Sequence, residues 1–138
     1  MTTYMHDIKN NSIVGQSHIP GSTITGSSAD VGSYVDCSDA AAIQTFGVVM
    51  NGTVDESAVS AQAHACKLVE ADDSGGTNSQ DIDGTETVTL DGDSQCKVVK
   101  AYNRSKPFVA VSVTPNFTGG STPATEFCSL VIVQKERF

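Results

Sequence analysis

Three kinds of side chain in this sequence have the chemistry of an active or binding site: histidines, clustered carboxylates and cysteines. The histidines are His6, His18 and His64, and serine and aspartate are abundant, so a Ser-His-Asp triad for acyl transfer can be drawn. The G-x-S-x-G turn that exposes a nucleophilic serine does not occur, and neither does a P-loop or a G-x-G-x-x-G motif. We therefore expect histidines that pack or face solvent, no catalytic residue, no bound cofactor and no enzyme activity.

Acidic side chains gather in Asp-, Gly- and Ser-rich turns between residues 72 and 93. The members are Asp72, Asp73, Asp81, Asp83, Glu86, Asp91 and Asp93. Calcium prefers such oxygen ligands, but the spacing does not fit the D-x-[DN]-x-[DN]-G-x5-E loop. We predict solvated turns and no metal site, with calcium at a loop or subunit interface as the alternative.

The four cysteines are Cys37, Cys66, Cys96 and Cys128. Structural zinc sites usually take two ligands from one tight turn, and no C-x-x-C pair is present, so zinc is weakly supported. Residues 1–9 contain no apolar secretory segment. We expect buried free thiols in a reducing cytoplasm, with disulfides as the alternative.

Length and charge limit the function classes. A chain of 138 residues predicts one domain with a thin core, since it contains no Trp. Its formal net charge of −8 argues against nucleic acid, because binding there needs Lys and Arg to displace counterions. The same negative charge argues against binding to an anionic membrane surface.

The first thirty residues differ in composition from the rest. They contain Asn, Ser, Gly and Pro with isolated apolar residues and no sustained period. We interpret residues 1–30 as an extended N-terminal arm and residues 31–138 as the folded domain. The isolated apolar residues are spaced like anchors on a partner, and the predicted partner-binding residues are Ile13, Val14, Ile19 and Ile24.

The domain itself has strand-like segments and little helical periodicity. The predicted strands are Val31–Cys37, Ile43–Met50, Ser57–Val69, Glu86–Leu90, Cys96–Tyr102, Phe108–Thr114 and Glu126–Gln134. Turn residues separate them at short intervals. This pattern predicts an all-β fold, an antiparallel β-sandwich that is jelly-roll-like or immunoglobulin-like.

Three details of these strands make testable predictions. Ser57–Val69 alternates with period two, and we expect Val59, Ala61 and the following alternate residues to face the core. Asp91-Gly92-Asp93 lies between two β-branched runs and predicts a hairpin. Phe108–Thr114 and Glu126–Gln134 are apolar on both faces, as central strands are.

Part of the chain resembles a known class of proteins. The residues concerned are the Ala61–Val69 strand, the turn after it, Gln80-Asp81-Ile82-Asp83-Gly84, the Asp91-Gly92 turn and Arg104–Thr114. Together, over roughly residues 57–115, they resemble small virion proteins of tailed bacteriophages. The resemblance implies a structural β-sandwich attached to a capsid or another part of the virion, without catalytic activity.

We therefore expect a capsid decoration or cement protein, made in the host cytoplasm and located in the virion. Its partners would be the major capsid protein or other virion proteins, reached through the arm by many weak contacts. We also expect a homo-oligomer, with a trimer favoured. The alternatives are a receptor- or glycan-binding module of a head fibre or tail, and a small jelly-roll shell protein.

Overall fold

A computed structural model of the chain describes residues 12–40 and 44–134, and the described residues form thirteen strands and no helix. The strands are β1 (Ser12–His18), β2 (Thr23–Thr25), β3 (Asp30–Val31), β4 (Val35–Asp36), β5 (Thr45–Val54), β6 (Val59–Gln62), β7 (His64–Ala71), β8 (Gln80–Asp81), β9 (Val88–Leu90), β10 (Cys96–Ala101), β11 (Phe108–Thr114), β12 (Phe117–Gly119) and β13 (Ala124–Gln134). Within these ranges no helix is long and apolar enough to span a bilayer.

Two antiparallel sheets pack face to face. The five-stranded sheet has the order β1-β13-β5-β10, with β2 also paired to β13. The six-stranded sheet has the order β3-β11-β7-β8, with β4 beside β11 and β9 beside β7, while β6 and β12 form a small third sheet. The predicted all-β antiparallel sandwich is confirmed. The predicted central strands are β11 and β13, and β11 has the predicted bounds.

Alternate residues of both sheets fill the core. The buried apolar cluster is Ile24, Cys37, Val49, Cys66, Leu68, Ile82, Leu90, Val99, Ala101, Val109, Val111, Val113, Phe127, Val131 and Val133. Between the two sheets, Gly47 of β5 faces Leu68 of β7. A Cβ at Gly47 would lie 3.0 Å from Leu68 Cδ2, so the missing side chain makes room for the leucine.

The predicted arm is wrong for residues 12–30, because they belong to the sandwich. β1 pairs with β13 from Ser12 to His18, and β2 pairs with the first residues of the same strand. The physical reason is the length of β13, whose edge needs hydrogen-bonding partners along eleven residues. Residues 1–11, the rest of the predicted arm, and Ile43, the predicted start of a strand, lie outside the described residues.

Two further sequence predictions are corrected. The strand over residues 57–69 breaks at Ala63, whose N–H bonds to Asn116, and its core face carries Cys66 and Leu68. The larger apolar side chains thus decide which face is buried, and the alanines lie on the other face. The turn at residues 91–93 joins strands of different sheets, since β9 pairs with β7 and β10 pairs with β5.

Candidate functional site

Among residues 12–40 and 44–134 the structure brings a Ser-His-Asp triple together. His18 Nδ1 lies 2.7 Å from Ser129 Oγ, and His18 Nε2 lies 3.2 Å from Asp30 Oδ1. Because a carboxylate only accepts, Nε2 carries the proton and Nδ1 accepts the hydrogen bond from the Ser129 hydroxyl. Burial lowers the pKa of His18, and the hydrogen bond and charge of Asp30 oppose that shift. The ring is therefore held in its neutral form.

This triple has a structural role, because its hydrogen bonds join β1 to β13. Ser129 is only 1% exposed, and its Oγ also accepts the backbone N–H of His18 at 2.9 Å. The imidazole ring packs edge-on against Phe127 with ring centroids 4.8 Å apart. A nucleophilic serine needs space for a substrate carbonyl and donors for the resulting oxyanion, and a serine this buried offers no such space. The hydroxyl instead stabilises the bulge where β1 changes register between Gln16 and His18.

His64 lies in a second buried polar network. Its Nδ1 accepts the backbone N–H of Asn116 at 3.2 Å, and its Nε2 donates to Gln62 Oε1 at 2.8 Å. Gln62 Oε1 also accepts from Asn51 Nδ2 at 3.1 Å, and Gln62 Nε2 donates to Asp93. Burial lowers the pKa of His64. The network connects β5, β6, β7 and two loops, and both nitrogens of the imidazole are hydrogen-bonded within it.

The carboxylates of the 72–79 loop are engaged by the loop itself and by Lys106. Asp73 accepts N–H bonds from Gly75 and Thr77 and a hydroxyl bond from Thr77, which together lower its pKa. Asp72 accepts from Asn78 Nδ2 at 2.8 Å and lies 3.2 Å from Lys106 Nζ. Across residues 12–40 and 44–134, no three His, Cys, Asp or Glu side chains are grouped as metal ligands.

Glu70 is a buried carboxylate that the sequence did not single out. Its Oε1 accepts the N–H groups of Ser105 and Lys106 at 2.7 and 3.1 Å. Its Oε2 accepts from Gln80 Nε2 at 2.7 Å and from Ser105 Oγ at 2.8 Å. Burial raises the pKa of Glu70, but these hydrogen bonds outweigh it, and the pKa is lowered overall. Glu70 therefore fastens the loop before β11 to the β7–β8 hairpin.

The four cysteines are free and fall into two environments. Cys37 and Cys66 are buried, and burial raises their pKa values to about 11 and about 12. Cys96 is exposed and Cys128 is half-buried, and both pair across strands with Met50 of β5. Their Cα atoms are two strand spacings apart, about 10 Å, which exceeds the roughly 7 Å between Cα atoms that a disulfide can bridge. They cannot form a disulfide within one copy of this fold.

The outer face of the five-stranded sheet is the candidate interaction site. We define the outer sheet face by three cross-strand rows, namely Val14, Ile132, Phe46 and Lys100; Gln16, Leu130, Val48 and Val98; and Cys128, Met50 and Cys96. Val14 is 55% exposed and Val98 is 47% exposed, and they lie on the two edge strands. The side chains between them are half-buried by one another. The rows carry one charged side chain, that of Lys100.

The predicted arm anchors separate in the structure. Val14 lies on the outer sheet face, and Ile19, which is 61% exposed, lies in the turn between β1 and β2. Ile24 is 1% exposed and belongs to the core, so it is not available to a partner in the folded chain. Ile13 is half-buried and follows the inward side of β1, opposite the buried Val133.

The sequence contains a signal for the outer sheet face in the segment Glu126–Gln134, which is apolar on both of its faces. That pattern is typical of a strand covered on both sides, and it predicted a central strand. One of the two faces packs in the core, and the other, with Cys128, Leu130 and Ile132, has no layer of described residues over it. A strand apolar on both faces thus indicates either a central layer or an interaction surface.

Comparisons with known proteins identify no relative by sequence, since no family model and no curated protein matches the chain. A solved structure is similar in backbone. It is the Clostridium thermocellum endo-1,4-beta-D-xylanase 10B, CBM22-1-GH10 modules complexed with xylohexaose, with a TM-score of 0.46 and 12% identity. The match covers 93% of this chain and 26% of that one. At this level of similarity the comparison assigns no function to the chain.

Proposed function

We propose that this chain is a non-catalytic structural protein that binds other protein subunits through the outer sheet face. The observation that carries the proposal is the apolar character of that face in a chain of net charge −8. Apolar area removed from water contributes about 25 cal/mol per Å². Soluble monomers seldom expose a continuous apolar surface across a whole sheet, and such surfaces mark contact sites.

The buried polar groups favour this class over an enzyme. The Ser129 hydroxyl, the His64 ring and the Glu70 carboxylate are each hydrogen-bonded within the fold and at most 1% exposed. Groups so placed stabilise the sandwich, and they cannot reach a substrate without local unfolding.

Within this class we propose the role of a capsid decoration or cement protein, bound to the major capsid protein or to another virion protein. The support is the resemblance of residues 57–115 to small virion proteins. Attachment at many copies per particle turns weak single contacts into tight binding. In the corrected fold Val14 alone of the predicted anchors lies on the outer sheet face, so we expect contact between subunits at that face and not along a long arm.

The proposal is tested by locating the chain in particles from cells that carry its gene. Antibodies against the purified chain should label the outside of intact heads at regular positions in electron micrographs. Labelling at tail tips, with binding on a glycan array, would instead favour the receptor-binding alternative. Closed shells formed by the purified chain alone would favour the shell-protein alternative, and particles without label would refute a virion role.

A further inference from the structure

We propose that the outer sheet face of one chain packs on the same face of a second copy, as a two-fold dimer. The proposal rests on the proposed function, because it names a second copy as the subunit that this face binds, and contact with another virion protein would then use surfaces outside the dimer. Three properties of the face support a second copy: its area, its charge and its shape.

The area is sufficient for a stable dimer. Four strands at about 4.8 Å spacing, with β5 about 34 Å long, give a sheet face on the order of 600 Å². Two such faces together bury roughly 1,200 Å², at the lower limit of specific interfaces. The three rows, which are apolar except for Gln16 and Lys100 on the edge strands, occupy the centre of this area, on the order of 400 Å² per copy. A polar rim around an apolar centre is the usual arrangement in a protein interface.

The charge distribution favours contact at this face over any acidic surface. Two copies of a chain with net charge −8 repel each other where carboxylates meet. The three rows contain no Asp or Glu, and Glu126 is the acidic residue of β13, two positions before Cys128. Lys100 lies at one corner of the rows, and its positive charge does not repel a second acidic chain. The three rows are thus a surface on which two such chains can meet without opposing carboxylates, and Glu126 lies just beyond them on the same face.

The shape of the face is self-complementary. Two copies of one sheet have the same twist, and sheets of equal twist pack face to face about 10 Å apart with strands about 30° from alignment. In a two-fold contact the same patch serves both subunits, so an apolar face supplies its own apolar partner. Val14 and Val98, on opposite edge strands, place apolar side chains across the full width of the contact.

The test compares matched lysine substitutions by sedimentation velocity over a range of concentrations. Val98→Lys and Val14→Lys should raise the dimer dissociation constant at least about tenfold, because each places a charge in the contact twice. Val31→Lys is the control, since Val31 is 44% exposed on an edge strand of the other sheet, and it should leave the constant within about twofold. Far-UV circular dichroism and thermal melting confirm that each variant is folded.

A second readout follows the exposed thiol. Alkylation of Cys96 should slow as the wild-type chain dimerises, and Val98→Lys should remove this concentration dependence. High salt should leave the dimer intact or strengthen it, because screening reduces repulsion between the two acidic chains.

Several results would overturn the dimer. The first is a wild-type chain that sediments as a monomer or a trimer. The second is an equal change of the dissociation constant by Val98→Lys and by Val31→Lys. The third is a dimer that appears only after residues 1–11 are removed. The last result would show that those residues cover the face instead. Particle labelling is independent of these measurements. A labelled particle with a monomeric chain refutes the dimer alone, and a dimer absent from particles refutes the virion role alone.

Discussion

Replacing Glu70 by glutamine should destabilise the protein by about 2 kcal/mol at neutral pH. The glutamine oxygen can keep the two N–H bonds from Ser105 and Lys106, which lie 2.7 and 3.1 Å from Oε1. Those bonds lose their charge-assisted part, worth about 1 kcal/mol each. The new amide group faces Gln80 and the Ser105 hydroxyl, and both can turn to accept from it. Glu70→Ala leaves the two N–H groups without an acceptor and should cost about 2–4 kcal/mol.

The same substitution predicts a change in pH dependence. The pKa of Glu70 is below its ordinary value of 4.5, so the unfolded chain takes up the proton first as the pH falls. The stabilisation by the carboxylate is therefore complete above pH 4.5 and is lost as the pH decreases through the lowered value. Glu70→Gln has no proton to take up. The stability difference between it and wild type should shrink toward zero in acid.

The assay is urea unfolding of wild type, Glu70→Gln and Glu70→Ala at neutral pH and well below pH 4.5. The exposed Glu86→Gln is the matched control, because it removes the same charge without breaking a buried cluster. It should change the free energy of unfolding by less than about 0.5 kcal/mol. A Glu70→Gln penalty that is as large in acid as at neutral pH, or no larger than that of the control, would refute the reasoning.

Three more predictions follow from single contacts. Ser129→Ala should cost about 2 kcal/mol of stability, measured by urea unfolding, and should leave any ester hydrolysis by the sample unchanged, because the hydroxyl has a structural role. Gly32→Ala should cost about 3 kcal/mol or more, or prevent soluble expression, since its Cβ would lie 2.6 Å from the Ser17 carbonyl carbon. In dilute native protein a maleimide should modify Cys96 and spare Cys66 until urea is added, as mass spectrometry of the peptides can check; equal labelling would contradict the fold.

The fold class and the central strands could be predicted from local pattern. Val, Thr and Ile runs cut by Gly and Asp turns favour strands wherever they occur, and β11 and β13 are apolar on both faces. Burial was harder to predict in the segment at residues 57–69. There the predicted period of two was right, but the predicted core face was wrong. Both faces carry small apolar residues, and the face with the larger Leu68 packs in the core.

The partners of each strand could not be predicted from the sequence, because they lie far away along the chain. β1 and β2 look like a polar arm until the free edge of β13, about a hundred residues later, is available to pair with them. The turn at residues 91–93 has the composition of a hairpin, and only the pairing of β10 with β5 makes it a crossing between sheets. The triple of His18, Asp30 and Ser129 could not be predicted either, because Ser129 lies about a hundred residues from the other two along the chain and meets them only when β1 pairs with β13.

The sequence by itself determined the periodicity, the turns and the acidic character of this protein, since these properties depend on composition and on neighbouring residues. The tertiary structure decided which apolar faces are covered. Whether a face is buried depends on which other strands pack over it, and the stacking of two sheets covers one side of β5 and β13 and leaves the other bare of described residues. The outer sheet face is visible only when that stacking is known.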